Sequence, residues 1–177
     1  DAGFDMIELD IQLCKSKEII VYHDTYYKDK LINEYTYREL FLENIITLEY
    51  VLRNIEIDRT CLFFDIKGDD KAIARPLYKL IVKYIPKAKM GRIYISGFGR
   101  NWVKYFTQIN HKMMAPVNLG FTTENKFSWE HLDILMRKMS FYCVHWTALD
   151  HEHVKQLKKK GVKVFSYTCK NQMILDY

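Results

Sequence analysis

The sequence predicts an α/β fold: an incomplete (β/α)8 barrel of the TIM type, short of one strand. Three observations carry this. Strand-like and helix-like runs alternate from Cys61 onward, the signature of right-handed βαβ units around a parallel sheet. Two more strand-like runs lie upstream, which brings the expected strand count to seven. No glycine-rich phosphate fingerprint follows any of these strands, which speaks against a nucleotide-binding doubly wound sheet. The 177 residues also fall short of the ~250 typical of the closed barrel, so we expect one domain over residues 1–177, truncated at both ends.

Apolar and polar residues alternate through Ile7-Glu8-Leu9-Asp10-Ile11-Gln12-Leu13, the period of a strand, which puts Glu8 and Asp10 on one face. Two carboxylates on one face are costly to bury unless paired, hydrogen-bonded or bound to a cation. A second β-branched run, Ile19-Ile20-Val21-Tyr22, ends on His23-Asp24. The link Cys14–Glu18 is too short for a helix. Folded straight back, it brings Glu8 opposite His23; with a parallel return, both groups still reach the strands' carboxyl ends. Either way two hard oxygen ligands and an imidazole share one mouth, which suits a divalent cation with an acid/base group beside it. An outward polar strand face produces the same Glu-x-Asp spacing without any chemistry.

Residues 25–35 are polar and rich in Tyr and Lys, and they read as a loop. Thr36 with Glu39 three residues on forms a capping box. Thr47 caps a second helix whose stripe is Leu48, Val51, Leu52 and Ile55. Cys61 to Lys67 is a strand. Asp69 to Ile85 is a helix in which Pro76 marks a kink or a first-turn restart. Arg92–Phe98, Met113–Phe121, Phe141–Trp146 and Val162–Thr168 are the later strands. Arg100–Ile109, a segment capped by Ser128, and Asp150–Lys160 are the helices between them. The last residues open a new helix.

Hydrophobic residues at 49% and charged residues at 28% are ordinary for a globular domain, and no apolar run is long enough for a transmembrane helix. The net charge of +5 suits an anionic substrate and a lysine-rich solvated surface alike. The lysines near Gly161 suit the end of a helix, so no nucleic-acid partner is expected. The four cysteines show neither disulfide nor zinc spacing and read as reduced; we expect a cytoplasmic protein, with any signal peptide lying ahead of Asp1 out of view.

In barrels of this kind the reacting groups sit at strand carboxyl ends. That rule selects Glu8, Asp10, His23, Asp65, Lys67, Ser96, His145, Tyr167 and Thr168. Asp65 and Lys67 share a strand face, where a third carboxylate would complete a cation's ligands and a lysine would neutralise a phosphate oxygen. The same pair also serves as an ordinary strand-end ion pair. His151 and His153, two apart on a helix, diverge and cannot chelate. His111 and His131 read as surface residues.

The stretches Gly3–Leu13 and Val21-Tyr22-His23-Asp24 resemble the core motif of the glycerophosphodiester phosphodiesterase family. So do Thr47-Leu48-Glu49, where Ile46 replaces the family's Pro after a shortened insertion, and Asn118-Leu119-Gly120-Phe121. Asp65-Ile66-Lys67 is similar to the family's Glu-x-Lys, with Asp one methylene shorter. Arg92–Phe98 matches a family strand ending in Ser-Phe, with Gly97 at the Ser position. Val164–Asn171 resembles the closing strand with its aromatic-Thr ending. The resemblance implies that Glu8, Asp10 and Asp65 bind a divalent metal (Mg²⁺ or Ca²⁺), and that His23 is half of a catalytic pair, with Lys67 steadying phosphate charge. It also implies hydrolysis of glycerophosphodiesters to glycerol 3-phosphate and an alcohol, with a glycerol hydroxyl attacking first to give a cyclic phosphate. The family's first strand, ending His-Arg-Gly and followed by Glu-Asn-Thr, has no counterpart here, so we expect the first strand and last helix of the barrel to be absent. We expect the lost His to impair activity. The expected partner is a small glycerophosphodiester or lysophospholipid. The rival readings are a lysophospholipase D or sphingomyelinase D-like lipid hydrolase, and a degenerate barrel kept as a binding module.

Overall fold

The computed structural model describes residues 4–58, 60–99, 101–112 and 115–170. It divides into two units, Asp1–Val117 and Asn118–Tyr177.

The first unit is built on β1 (Met6–Leu13). It pairs antiparallel with β2 (Ile19–Val21), Ile11 opposite Val21 and Leu13 opposite Ile19. A tight turn makes this possible: Lys17 takes a φ of 76° and donates its N–H to the Cys14 carbonyl at 3.0 Å. The chain therefore folds straight back, but not in the expected register. Continued, this pairing sets Leu9 rather than Glu8 level with His23, and the ladder stops at Val21. His23 leaves the sheet before it can face Glu8 across the strands.

Residues 25–35 are not a plain loop. They form a small hairpin, β3 (Tyr26–Tyr27) with β4 (Lys30–Leu31), followed by a 3-10 turn over Ile32–Glu34. Tyr27 packs edge-on against Tyr22 and Tyr35 beside a buried cluster that includes Ile20, Ile32 and Leu40. The capping box closes as expected: Thr36 Oγ1 accepts from the Glu39 N–H, and Glu39 accepts from the Thr36 N–H at 2.7 Å, opening α1 (Tyr37–Phe41). Thr47 caps α2 (Leu48–Asn54).

On its other edge β1 pairs in parallel with β5 (Cys61–Ile66), Asp10 beside Asp65. Next comes β6 (Ile93–Gly97), also parallel, with Asp65 beside Ser96. Residues Leu62 to Ile66 are all buried, as expected of a parallel strand covered on both faces. Asp70 caps a 3-10 turn over Lys71–Ile73, and α3 (Ala74–Tyr84) follows directly. Pro76 falls in the first turn of α3, where a missing N–H leaves no bond unmade, so the helix restarts there. Leu77 and Ile81 of α3 and Trp102 and Phe106 of α4 (Asn101–Asn110) are fully buried.

The second unit repeats the strand–helix pattern: β7 (Asn118–Thr123), α5 (Trp129–Met136), β8 (Phe141–His145), α6 (His151–Lys159) and β9 (Lys163–Tyr167). Its three strands run parallel. The first of them begins at Asn118 rather than at Met113, which lies outside the described residues, and Ala115-Pro116 precedes it. Gly120 is required by its neighbour, because a Cβ there would enter the Phe141 ring. Phe121, Leu132, Met136, Val144 and Leu157 form the core. Ser128 and Asp150 cap α5 and α6. Within each unit helices and parallel strands alternate, which is the predicted α/β class. The expected terminal helix lies outside the described residues.

Candidate metal centre

The β1–β5 register decides the site. Residues paired side by side in a parallel ladder point to the same face, so Asp10 and Asp65 stand together. Glu8 and Gln12 share that face two residues before and after Asp10, and Lys67 follows two residues after Asp65. Carboxylate oxygens of Glu8, Asp10 and Asp65 all lie within 4.8 Å of one another. That spacing fits ligands around one hard cation bound at roughly 2.1–2.5 Å from each oxygen. The shorter Asp65 side chain therefore still reaches the cluster.

The donor set fits such an ion. Lys67 Nζ donates to Asp65 Oδ2 at 2.6 Å and lies 2.8 Å from Asp10 Oδ1. The second contact is an ion pair without hydrogen-bond alignment, so Asp10 Oδ1 has no donor aimed at it, and the buried Asp65 Oδ1 has none either. Three carboxylates thus face one ammonium, which pairs with one oxygen of each aspartate and leaves the buried Asp65 Oδ1 without a donor. The charges behave accordingly. Removal from water on its inner side raises the Glu8 pKa to about 7, although the outer side is exposed; Asp10 and Asp65 add to the rise and Lys67 opposes it. Burial pushes the Asp65 carboxyl up, against the pull of Lys67. Burial alone would lower the Lys67 ammonium, but its pairing with Asp10 and Asp65 prevails and raises it.

His23 lies two residues beyond the end of β2, with its side chain 72% exposed. Its Nδ1 lies 2.7 Å from Asp24 Oδ1. A carboxylate only accepts, so the proton is on Nδ1 and Nε2 is left for exchange with a substrate. The peptide that carries His23 is held from below by Gln12, which the sequence reading passed over. Gln12 is 6% exposed, and its Nε2 donates to the carbonyls of Tyr22 and Asp24, both at 2.8 Å. The signal was present: Gln12 continues the two-residue period of Glu8 and Asp10.

The other predicted positions supply no carboxylate. Ser96 is buried beside Asp65 in the ladder but contributes no carboxylate. His145, Tyr167 and Thr168 belong to the second unit. There His145 Nδ1 lies 2.7 Å from Thr147 Oγ1 and its ring packs edge-on against Tyr167. His153 packs on Trp129.

The model of the glycerophosphoryl diester phosphodiesterase family matches residues 1–177. The chain belongs to this family. The fold agrees with its solved members. A glycerophosphodiester phosphodiesterase from Parabacteroides distasonis is 21% identical with a TM-score of 0.83, covering 98% of this chain and 75% of that one. A phosphodiesterase from Oleispira antarctica, solved with the product sn-glycerol-3-phosphate, is 17% identical with a TM-score of 0.81, covering 97% and 76%. A glycerophosphodiester phosphodiesterase from Thermotoga maritima is 21% identical with a TM-score of 0.71, covering 96% and 75%. No curated protein matches the chain. Gly97, where the resemblance places a Ser, is closely packed. A Cβ at Gly97 would stand 2.5 Å from the Ile66 carbonyl oxygen, so the close approach of β6 to β5 leaves no room for a serine side chain. Among the described residues no helix is long and apolar enough to cross a membrane.

Proposed function

We propose that this chain carries the metal and phosphate centre of a glycerophosphodiester phosphodiesterase. Such an enzyme releases glycerol 3-phosphate and an alcohol. The observation that carries the reading is the convergence of Glu8, Asp10 and Asp65, with Lys67 between the two aspartates. Those three carboxylates would hold Mg²⁺ or Ca²⁺, which supplies charge neutralisation for phosphate oxygens when bound. Lys67 keeps the aspartates together and presents positive charge where a phosphate oxygen would lie. His23, with its tautomer fixed by Asp24, accepts or returns a proton through Nε2. The attacking hydroxyl, from glycerol or water, forms the new P–O bond and loses its proton. The departing alkoxide leaves with the old P–O bond and takes a proton up.

Two proton transfers need two groups, and His23 is one of them. The test is hydrolysis of glycerophosphocholine with Mg²⁺ or Ca²⁺ supplied after chelation. Metal-dependent release of glycerol 3-phosphate that disappears in His23→Ala supports the reading. Release that is indifferent to both metal and His23 refutes it.

A further inference from the structure

A groove of about 370 Å³ lies between the start of α3 and the outer side of α4 in the first unit, within the size range of small-ligand sites. Lys71 and Arg75 line one side of it, and Tyr105, Gln108 and Lys112 the other. No acidic residue lines it, and none of its residues belongs to the carboxylate centre. Tyr105 is 42% exposed, and Lys71 Nζ lies 5.5 Å from its ring centre, which ties the two sides together.

The charges in this groove are placed at a cost. Lys71 and Arg75 stand four residues apart across the 3-10 turn and the first turn of α3, a spacing at which like charges repel. The amino end of a helix also disfavours cations, and the first turn of α3 carries no acidic residue. Lys112, just past the carboxyl end of α4, has an ordinary position for a lysine; the other two do not. Among the described residues Lys71, Arg75 and Lys112 make no ion pair. The two acids before Lys71 serve other donors. Asp69 accepts from the backbone N–H and side-chain amide of Asn101 at 2.6 and 2.5 Å, and Asp70 from the Ala72 N–H at 2.8 Å. An anion in the groove would offset all three cations and the helix end together.

We propose that this groove binds a dianionic phosphate monoester, free or as the head group of an acidic lipid, at a site separate from the carboxylate centre. The Arg75 guanidinium offers a planar fork to two phosphate oxygens, and the lysines add point charges. The Gln108 amide and the Tyr105 hydroxyl are neutral donors beside them.

The test is calorimetry on the whole chain in a chelator, with inorganic phosphate as the probe at about pH 8, where the phosphate group is a dianion. A second arm measures sedimentation with phosphatidylcholine vesicles, with and without phosphatidic acid. Arg75→Gln and Lys112→Gln each remove one cation and keep a residue that tolerates a helix. Lys104→Gln removes the same charge from an exposed position of α4 outside the groove. We expect Arg75→Gln and Lys112→Gln each to weaken binding about fivefold, the upper range for an exposed ion pair, and Lys104→Gln to leave it unchanged. Phosphate binding with this pattern supports a free ester. Sedimentation that requires phosphatidic acid and falls in the same two variants supports the lipid head group. No binding in either arm, binding indifferent to Arg75 and Lys112, or an equal loss in Lys104→Gln overturns the inference. With metal chelated, each of these outcomes leaves the phosphodiesterase reading where it stands.

Discussion

Lys67 links two aspartates that would otherwise repel each other at the centre of the first sheet. Its side chain is 14% exposed and that of Asp65 6%, so removing the ammonium leaves buried charge without a partner. Lys67→Met should therefore cost about 3 kcal/mol of stability in a chelator, the usual order for breaking a buried pair. A divalent ion can replace the lost charge, so urea unfolding with millimolar Mg²⁺ or Ca²⁺ should recover most of the loss. A loss that metal does not touch would mean that the aspartates are held together for packing alone. Gln12 acts at one remove. Gln12→Met deletes both donors under the His23 turn and leaves two carbonyls unsatisfied, an expected loss of about 1–3 kcal/mol. Because the turn positions His23, the ring resonances of that histidine, assigned by their absence in His23→Asn, should shift in the same variant. Resonances that stay in place would reduce Gln12 to a core residue.

At the scale of elements, the β5–β6 contact at Gly97 leaves no space for a side chain. Restoring a serine there forces its Cβ against the Ile66 carbonyl, and Gly97→Ser should destabilise by about 1–3 kcal/mol through overpacking, read as a lower urea midpoint. In the second unit, Asp150 caps α6 through the Glu152 and His153 N–H groups and pairs with Lys126 at 2.9 Å. Hydrogen bonds from Lys126 and the His153 N–H hold its pKa down at about 2, below the usual carboxylate range. A carboxyl depressed on folding contributes fully above its unfolded pKa and loses that contribution as pH falls toward the folded one. Asp150→Ala should thus cost about 1 kcal/mol near neutrality, and the difference from wild type should vanish between pH 4 and pH 2 in acid unfolding series. The long elements were legible because their periods repeat enough times to stand out: the capping box at Thr36, the Thr47 and Ser128 caps, and every βα pair after Cys61. The β3–β4 hairpin was not, since strands of two residues are too short to show alternation.

At the scale of the whole molecule, the family motif nominated a set of residues and the β1–β5 ladder decides how they meet. Glu8, Asp10, Asp65 and Lys67 were legible because a parallel pairing preserves the side-chain period, so one face stays one face. The place of His23 was not. A five-residue link can be drawn with its midpoint one residue off, and in a strand a shift of one moves a residue to the opposite face. The departure at Asp65 was visible in the sequence, but its reach depended on the distance between two strands, which no single sequence states.

Direct titration of the chelated protein with Mg²⁺ and Ca²⁺ by calorimetry probes the proposed centre without relying on turnover. The account predicts one ion per chain, with affinity lowered at least about tenfold in Glu8→Ala and in Asp10→Ala. Wild-type binding that persists in both variants, or no binding by the wild type, would contradict it.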